Sequence, residues 1–155
     1  MRIRFLFLTF LLLLLSACSL SRSQGTPAAK QTVIAVATQY LGHIVMNDRH
    51  KIDGMVLWLD FLDNSSGTVT KEICFAQMQA AANRFDQSNH PLVHLTIHEV
   101  QVRGDNAAII LQKHGDPKAK KIEITLRWIG NGWLIVGDNI FGTEGVLARA
   151  LRQHT

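Results

Sequence analysis

What this chain lacks excludes several kinds of chemistry. Of its 155 residues only two are cysteine, three proline and one tyrosine. No Gly-Lys-Ser/Thr follows Gly137, Gly142 or Gly145, so these glycines build no phosphate loop. His98-Glu99 opens like the zinc-binding H-E-x-x-H pattern, but Val102 stands where the second histidine belongs. Placed on one strand face, His94 and His98 lie about 13 Å apart, too far to hold one metal ion. No local motif arranges serine, histidine and aspartate, or cysteine and histidine, for nucleophilic catalysis. No metal or cofactor is therefore expected. Lys118, Lys120 and Lys121 cluster beside the Asp116-Pro117 turn without interleaved aromatics to stack bases, which points away from nucleic acid. A solvated loop tip or a contact with anionic lipid headgroups remains. From Pro27 onward there is no internal repeat, low-complexity tract or second linker, and the length suits one domain.

The one long apolar run comes first. Arg2 and Arg4 give a positive start, Phe5 to Leu15 is apolar apart from Thr9, and Ser16-Ala17 is a small-residue exit. This is the layout of a secretory signal. A span would need about 20 apolar residues, and polar residues follow position 18 at once. Leu15-Ser16-Ala17-Cys18 resembles the bacterial lipobox. That resemblance implies a signal peptide over residues 1–17 and a Cys18 thiol that carries diacylglycerol as the first mature residue. Acyl chains contribute about 0.8 kcal/mol per buried methylene, so two or three of them anchor permanently. Ser19 occupies the place where Gram-negative sorting uses aspartate for inner-membrane retention, which implies the outer membrane facing the periplasm if the source is Gram-negative. A cleaved secretory protein and a retained anchor are the alternatives. Ser19 to Thr26 is polar and aperiodic, so residues 18–26 form the lipidated end and a flexible tether, reaching at most about 28 Å. The formal charge of +4 includes the two leader arginines, so the remainder is only weakly basic. With Cys18 committed to lipid, Cys74 has no intramolecular partner. It is expected as a small buried hydrophobe beside Ile73, Phe75 and Met78, with an intermolecular bridge as the alternative.

Residues 27–155 read as a single α+β domain. After Pro27, Val33, Ala37, Tyr40, Leu41, Ile44 and Val45 recur at helical spacing. Asp48 is placed to cap a second helix carrying Ile52, Met55, Val56, Leu59 and Leu62 up to Asp63. A third helix starts after Thr70, with Phe75, Met78, Ala82 and Phe85 on one stripe. Then the period becomes two: Val93, Leu95 and Ile97 switch to Val100 and Val102, which predicts a bulge at His98 or Glu99. Gly104-Asp105 turns into a second strand. Ile122, Ile124, Leu126 and Trp128 alternate along a third. Asn131-Gly132 predicts a two-residue turn that sets Ile135 opposite Trp128 and Gly137 opposite Leu126. A last helix is expected from Thr143, with Val146, Leu147, Ala150 and Leu151 as its apolar stripe.

Helices followed by a bent antiparallel meander, closed by "RWIGNGWLIVGDNIF" with its Trp128-to-Trp133 hairpin, is similar to the nuclear transport factor 2-like superfamily. The resemblance implies a curved sheet of four or more strands, a cone whose wide end holds a pocket or an interface. Ketosteroid-isomerising members use a helix tyrosine, an aspartate base and a protonated aspartic acid. Tyr40, then Asp60 or Asp63, then Asp138 or Asn139 occur here in that chain order, with Trp128 as a neighbouring wall. On the expected pairing Asn139 faces inward and Asp138 outward. A buried tyrosine with a satisfied hydroxyl is the structural alternative. Two functions follow: a non-catalytic binding or assembly module for an envelope protein or an apolar ligand, or a small-molecule isomerase, dehydratase or hydrolase.

Overall fold

The computed structural model describes residues 26–65 and 69–153. The leader, Cys18 and the tether before Thr26 lie outside the described residues. Helix α1 (Pro27–Val45) starts where Thr26 Oγ1 accepts the Ala29 amide at 3.2 Å, with Pro27 in the first turn. Its inward stripe is Val33, Ala37, Tyr40, Leu41 and Ile44, as the spacing predicts. Asp48 caps α2 (Arg49–Met55) through the Lys51 amide.

The second predicted helix is in fact two. It breaks at Val56, which is extended (φ −108°, ψ 128°), and resumes as α3 (Trp58–Asn64). A backbone partner from far along the chain explains the break: the Leu57 amide donates to the Ile135 carbonyl at 2.9 Å, and Val56 makes a parallel bridge to Ile135. A β-branched residue offered a strand edge loses little by leaving the helix. The apolar stripe rotates in consequence, leaving Leu59 82% exposed and burying Phe61 completely.

Helix α4 (Lys71–Arg84) is capped by Thr70, whose Oγ1 accepts from the Ile73 amide at 3.2 Å. It buries Cys74, Met78 and Ala81, while Ala82 is exposed and Phe75 and Phe85 are half-buried. Cys74 is thus a free buried thiol inside the apolar core.

Four strands form an antiparallel meander in the order of the chain: β1 (Leu95–Arg103), β2 (Asn106–Lys113), β3 (Ile122–Trp128) and β4 (Trp133–Asp138). The predicted bulge is present, with His98 as the extra residue between Ile97 and Glu99. His94 precedes the strand with φ 58°, so the two histidines do not share a strand face.

The last hairpin departs from expectation twice. The Ile129 amide bonds the Gly132 carbonyl at 3.0 Å and Gly130 has φ 98°, so the reversal centres on Gly130-Asn131. Trp128 therefore pairs with Trp133 and Leu126 with Ile135. A second bulge then leaves Val136 unpaired, and Thr125 meets Gly137 while Ile124 meets Asp138. That extra residue inverts which side chains face the core beyond it.

Helix α5 (Val146–Gln153) starts three residues after Thr143. Its first amides, of Val146 and Leu147, donate to the Asn139 and Ile140 carbonyls at 3.1 and 3.0 Å. Gly145 is demanded by this close approach, since a Cβ there would lie 2.3 Å from the Phe141 carbonyl oxygen. Helix α1 contacts β1, β2, β4, α2 and α4, so the core lies between the first helix and one face of the sheet. The outer edge of β4 is occupied by Val56, Leu57 and α3, whose Asn64 Nδ2 donates to the Val136 carbonyl at 3.2 Å. No strand among the described residues pairs with the outer edge of β1.

Candidate functional site

Helix α1 carries Tyr40 to the end of β4, where its hydroxyl donates to Asp138 Oδ2 at 2.7 Å. The other carboxylate oxygen accepts from the Ile140 amide at 2.9 Å and the Phe141 amide at 3.5 Å. Tyr40 is fully buried and Asp138 7% exposed. Burial pushes the Asp138 carboxyl up to about 6, even though the bonds from Tyr40, Ile140 and Phe141 pull the other way. The Tyr40 hydroxyl is raised well above the ordinary phenol value, first by burial and then by the Asp138 charge. Cys74 feels the same two influences, and its thiol is raised in the same order of causes. A thiol so held stays protonated and is no nucleophile.

Asp138, not Asn139, is the inward residue, which reverses the sequence expectation. The unpaired Val136 supplies the physical reason, because one extra residue exchanges the two faces of the strand. Asn139 instead extends the ladder with its side chain: Oδ1 accepts the Glu123 amide and Nδ2 donates to the Lys121 carbonyl, both at 3.0 Å.

The remaining predicted pocket residues do not converge on Tyr40. Asp60 forms an ion pair with Arg127 of β3. Asp63 is exposed on α3. Trp128 meets Trp133 edge-on at 5.7 Å, closing the hairpin. Asp138 was the functional-looking group hardest to place from sequence. Gly137 inside a strand was its signal, for glycine there marks a bulge or a close approach. A Cβ on Gly137 would lie 2.9 Å from Thr125 Oγ1 and 3.1 Å from Asn64 Cβ.

A tyrosine beside a protonated carboxyl stabilises an oxyanion when both point their protons into an open cavity. Here the tyrosine proton is directed at the carboxylate itself, and neither Tyr40 nor Asp138 lines either of two grooves among the described residues. One such groove, of about 390 Å³, runs over the sheet between Gln101, Arg103, Ala108, Thr125, Arg127 and Asn64. Another, of about 410 Å³, lies between α1 and β1 and is apolar, with Leu41, Val45, Leu95 and Leu111 along it and Met46 and Ile97 exposed on its walls. Among the described residues no three His, Cys, Asp or Glu side chains gather to hold a metal ion, and no helix is long and apolar enough to cross a membrane. Comparison with known proteins finds no family model, no curated protein and no solved structure that matches this chain.

Proposed function

We propose that this chain is a lipid-anchored envelope lipoprotein whose domain, a relative of the nuclear transport factor 2-like cone, binds a partner and catalyses no reaction. The closed Tyr40–Asp138 pair carries the non-catalytic half of this reading. Among the described residues it is the buried meeting of a tyrosine and a carboxyl, and its hydrogen-bonding groups are turned on one another rather than on a substrate. The lipobox residues Leu15 to Cys18 support the anchor, and the polar run after them supports display of the domain outside the membrane, on the periplasmic side of the outer membrane in a Gram-negative cell. The order of helices, then meander, then closing tryptophan hairpin supports the cone. The apolar α1–β1 groove, with Met46 66% and Ile97 45% exposed, supports an envelope protein or an apolar ligand as the partner.

Each half has its own test. Mass analysis of the membrane-extracted protein is expected to find diacylglycerol on an N-terminal Cys18, and an intact leader or a bare thiol overturns the anchor. A photo-crosslinker at Ile97 in intact envelopes is expected to give one discrete adduct, with none from Lys30 on the far end of α1. Monomer alone from both positions, together with substrate turnover abolished by Tyr40→Phe, would replace the binding module with the isomerase, dehydratase or hydrolase reading.

A further inference from the structure

A third groove, of about 390 Å³, lies between α5 and the ends of β2 and β3. Val146, Arg149, Ala150 and Gln153 face it at helical spacing. Its floor is apolar, from Leu95, Ile122 and Val146, and its rim carries Lys113, Lys120 and Arg149. The fourth charged residue there is Asp116, whose Oδ1 already accepts the Lys118 and Ala119 amides at 3.0 and 3.1 Å. The central residue is Arg149, which is half-buried and lines the groove. Its Nη2 is closed to solvent and has no hydrogen-bond partner among the described residues, so the guanidinium turns toward the groove to meet a ligand. A guanidinium nitrogen taken out of water without an acceptor is unfavourable, and the fork geometry of arginine suits a planar or tetrahedral oxyanion. Lys120 Nζ reaches the Glu144 carbonyl at 3.4 Å, which holds that cation over the groove without neutralising it.

We propose that this groove binds a phosphomonoester attached to an apolar chain, the phosphate on Arg149, Lys113 and Lys120 and the chain along Leu95, Ile122 and Val146. Three cations against one carboxylate match a phosphomonoester, which carries about −1.5 to −2 at neutral pH. The apolar floor extends the recognition beyond the phosphate, so a bare oxyanion fills half of the site. Such a group occurs both in membrane phosphatidic acid and in soluble alkyl phosphates, and the experiment separates the two sources.

The full chain, held in neutral phosphatidylcholine nanodiscs, is dialysed against labelled hexyl phosphate. Saturable binding is expected, weakened about tenfold by Arg149→Gln and by a smaller factor by Lys120→Gln, which lies on an exposed loop and leaves the core untouched. Displacement by nanodiscs containing phosphatidic acid assigns the ligand to a bilayer, and its failure with hexyl phosphate still bound assigns a soluble one. Inorganic phosphate is expected to compete only weakly. Competition by inorganic phosphate as strong as by hexyl phosphate would overturn the role of the apolar floor. Equal binding by the wild type and both variants, or no binding by the wild type, would overturn the site.

Discussion

The buried Asp138 and the half-buried Arg149 live under opposite conditions. Asp138, beneath α1, accepts from a tyrosine hydroxyl and from two backbone amides. Arg149, on α5, buries a guanidinium nitrogen that meets no acceptor. Burial by itself therefore does not distinguish a structural polar group from a binding one; what its atoms meet, and whether a groove adjoins it, must be asked as well. A carboxylate surrounded by donors from three residues is part of the fold's own hydrogen bonding, whereas the unmatched guanidinium beside a groove is the donor that the proposed ligand would answer.

The contrast breaks most visibly at Asp138. Asp138→Val strips acceptors from Tyr40 and the Ile140 amide at once, so the urea midpoint should report a loss of about 3 kcal/mol or more. A somewhat smaller effect comes from pH. Because the folded carboxyl is raised from 3.8 to about 6, the native state holds its proton more tightly than the unfolded chain. Its contribution to stability is fully present below pH 4 and is lost as pH rises through 6, a change on the order of 3 kcal/mol that Asp138→Asn should flatten. His90 works in the opposite sense: burial lowers its imidazole, so its contribution is present above the ordinary histidine range and lost on acidification. The two slopes separate in the Asp138→Asn background. Tyr40→Phe should cost about 1–2 kcal/mol by leaving Asp138 Oδ2 unmatched. Since the Tyr40 bond pulls the carboxyl down, its loss should also move the pH midpoint upward. Smallest is Arg149→Met, expected to leave thermal stability unchanged or raised by about 1 kcal/mol, because it removes an unmatched donor and keeps the packing stem. Thermal melts that fall by as much for Arg149→Met as for Tyr40→Phe would erase the distinction.

Residues that act through their immediate neighbours were legible in the chain. Asp48 and Thr70 stand where the helices they cap were expected to begin, and the parity switch around His98 locates its bulge, whereas Thr26, read as the end of the tether, caps α1. Features that depend on distant segments were not. Val56 leaves its helix because Ile135 offers a strand edge that no local pattern around Val56 reveals. The β4 run is buried on both sides near its end, Ile135 and Val136 both being covered, so alternation is erased and the bulge at Val136 is hidden. The Asn131-Gly132 signal was overridden by Gly130, which takes the positive φ and lets the two tryptophans pair. Tyr40 is buried with a satisfied hydroxyl, as the structural alternative had it, but Asp138 was read as facing outward because the extra residue at Val136 was not legible. The groove at Arg149 joins α5, the β2–β3 loop and the start of β1, so it could not emerge from any single stretch.

The covering of β4 by Val56, Leu57 and α3 has a consequence for assembly. Polymer growth by strand addition requires two available borders on every unit, one to receive and one to offer. Among the described residues this sheet leaves only the β1 border unpaired, so backbone pairing between copies at that border joins two molecules and stops.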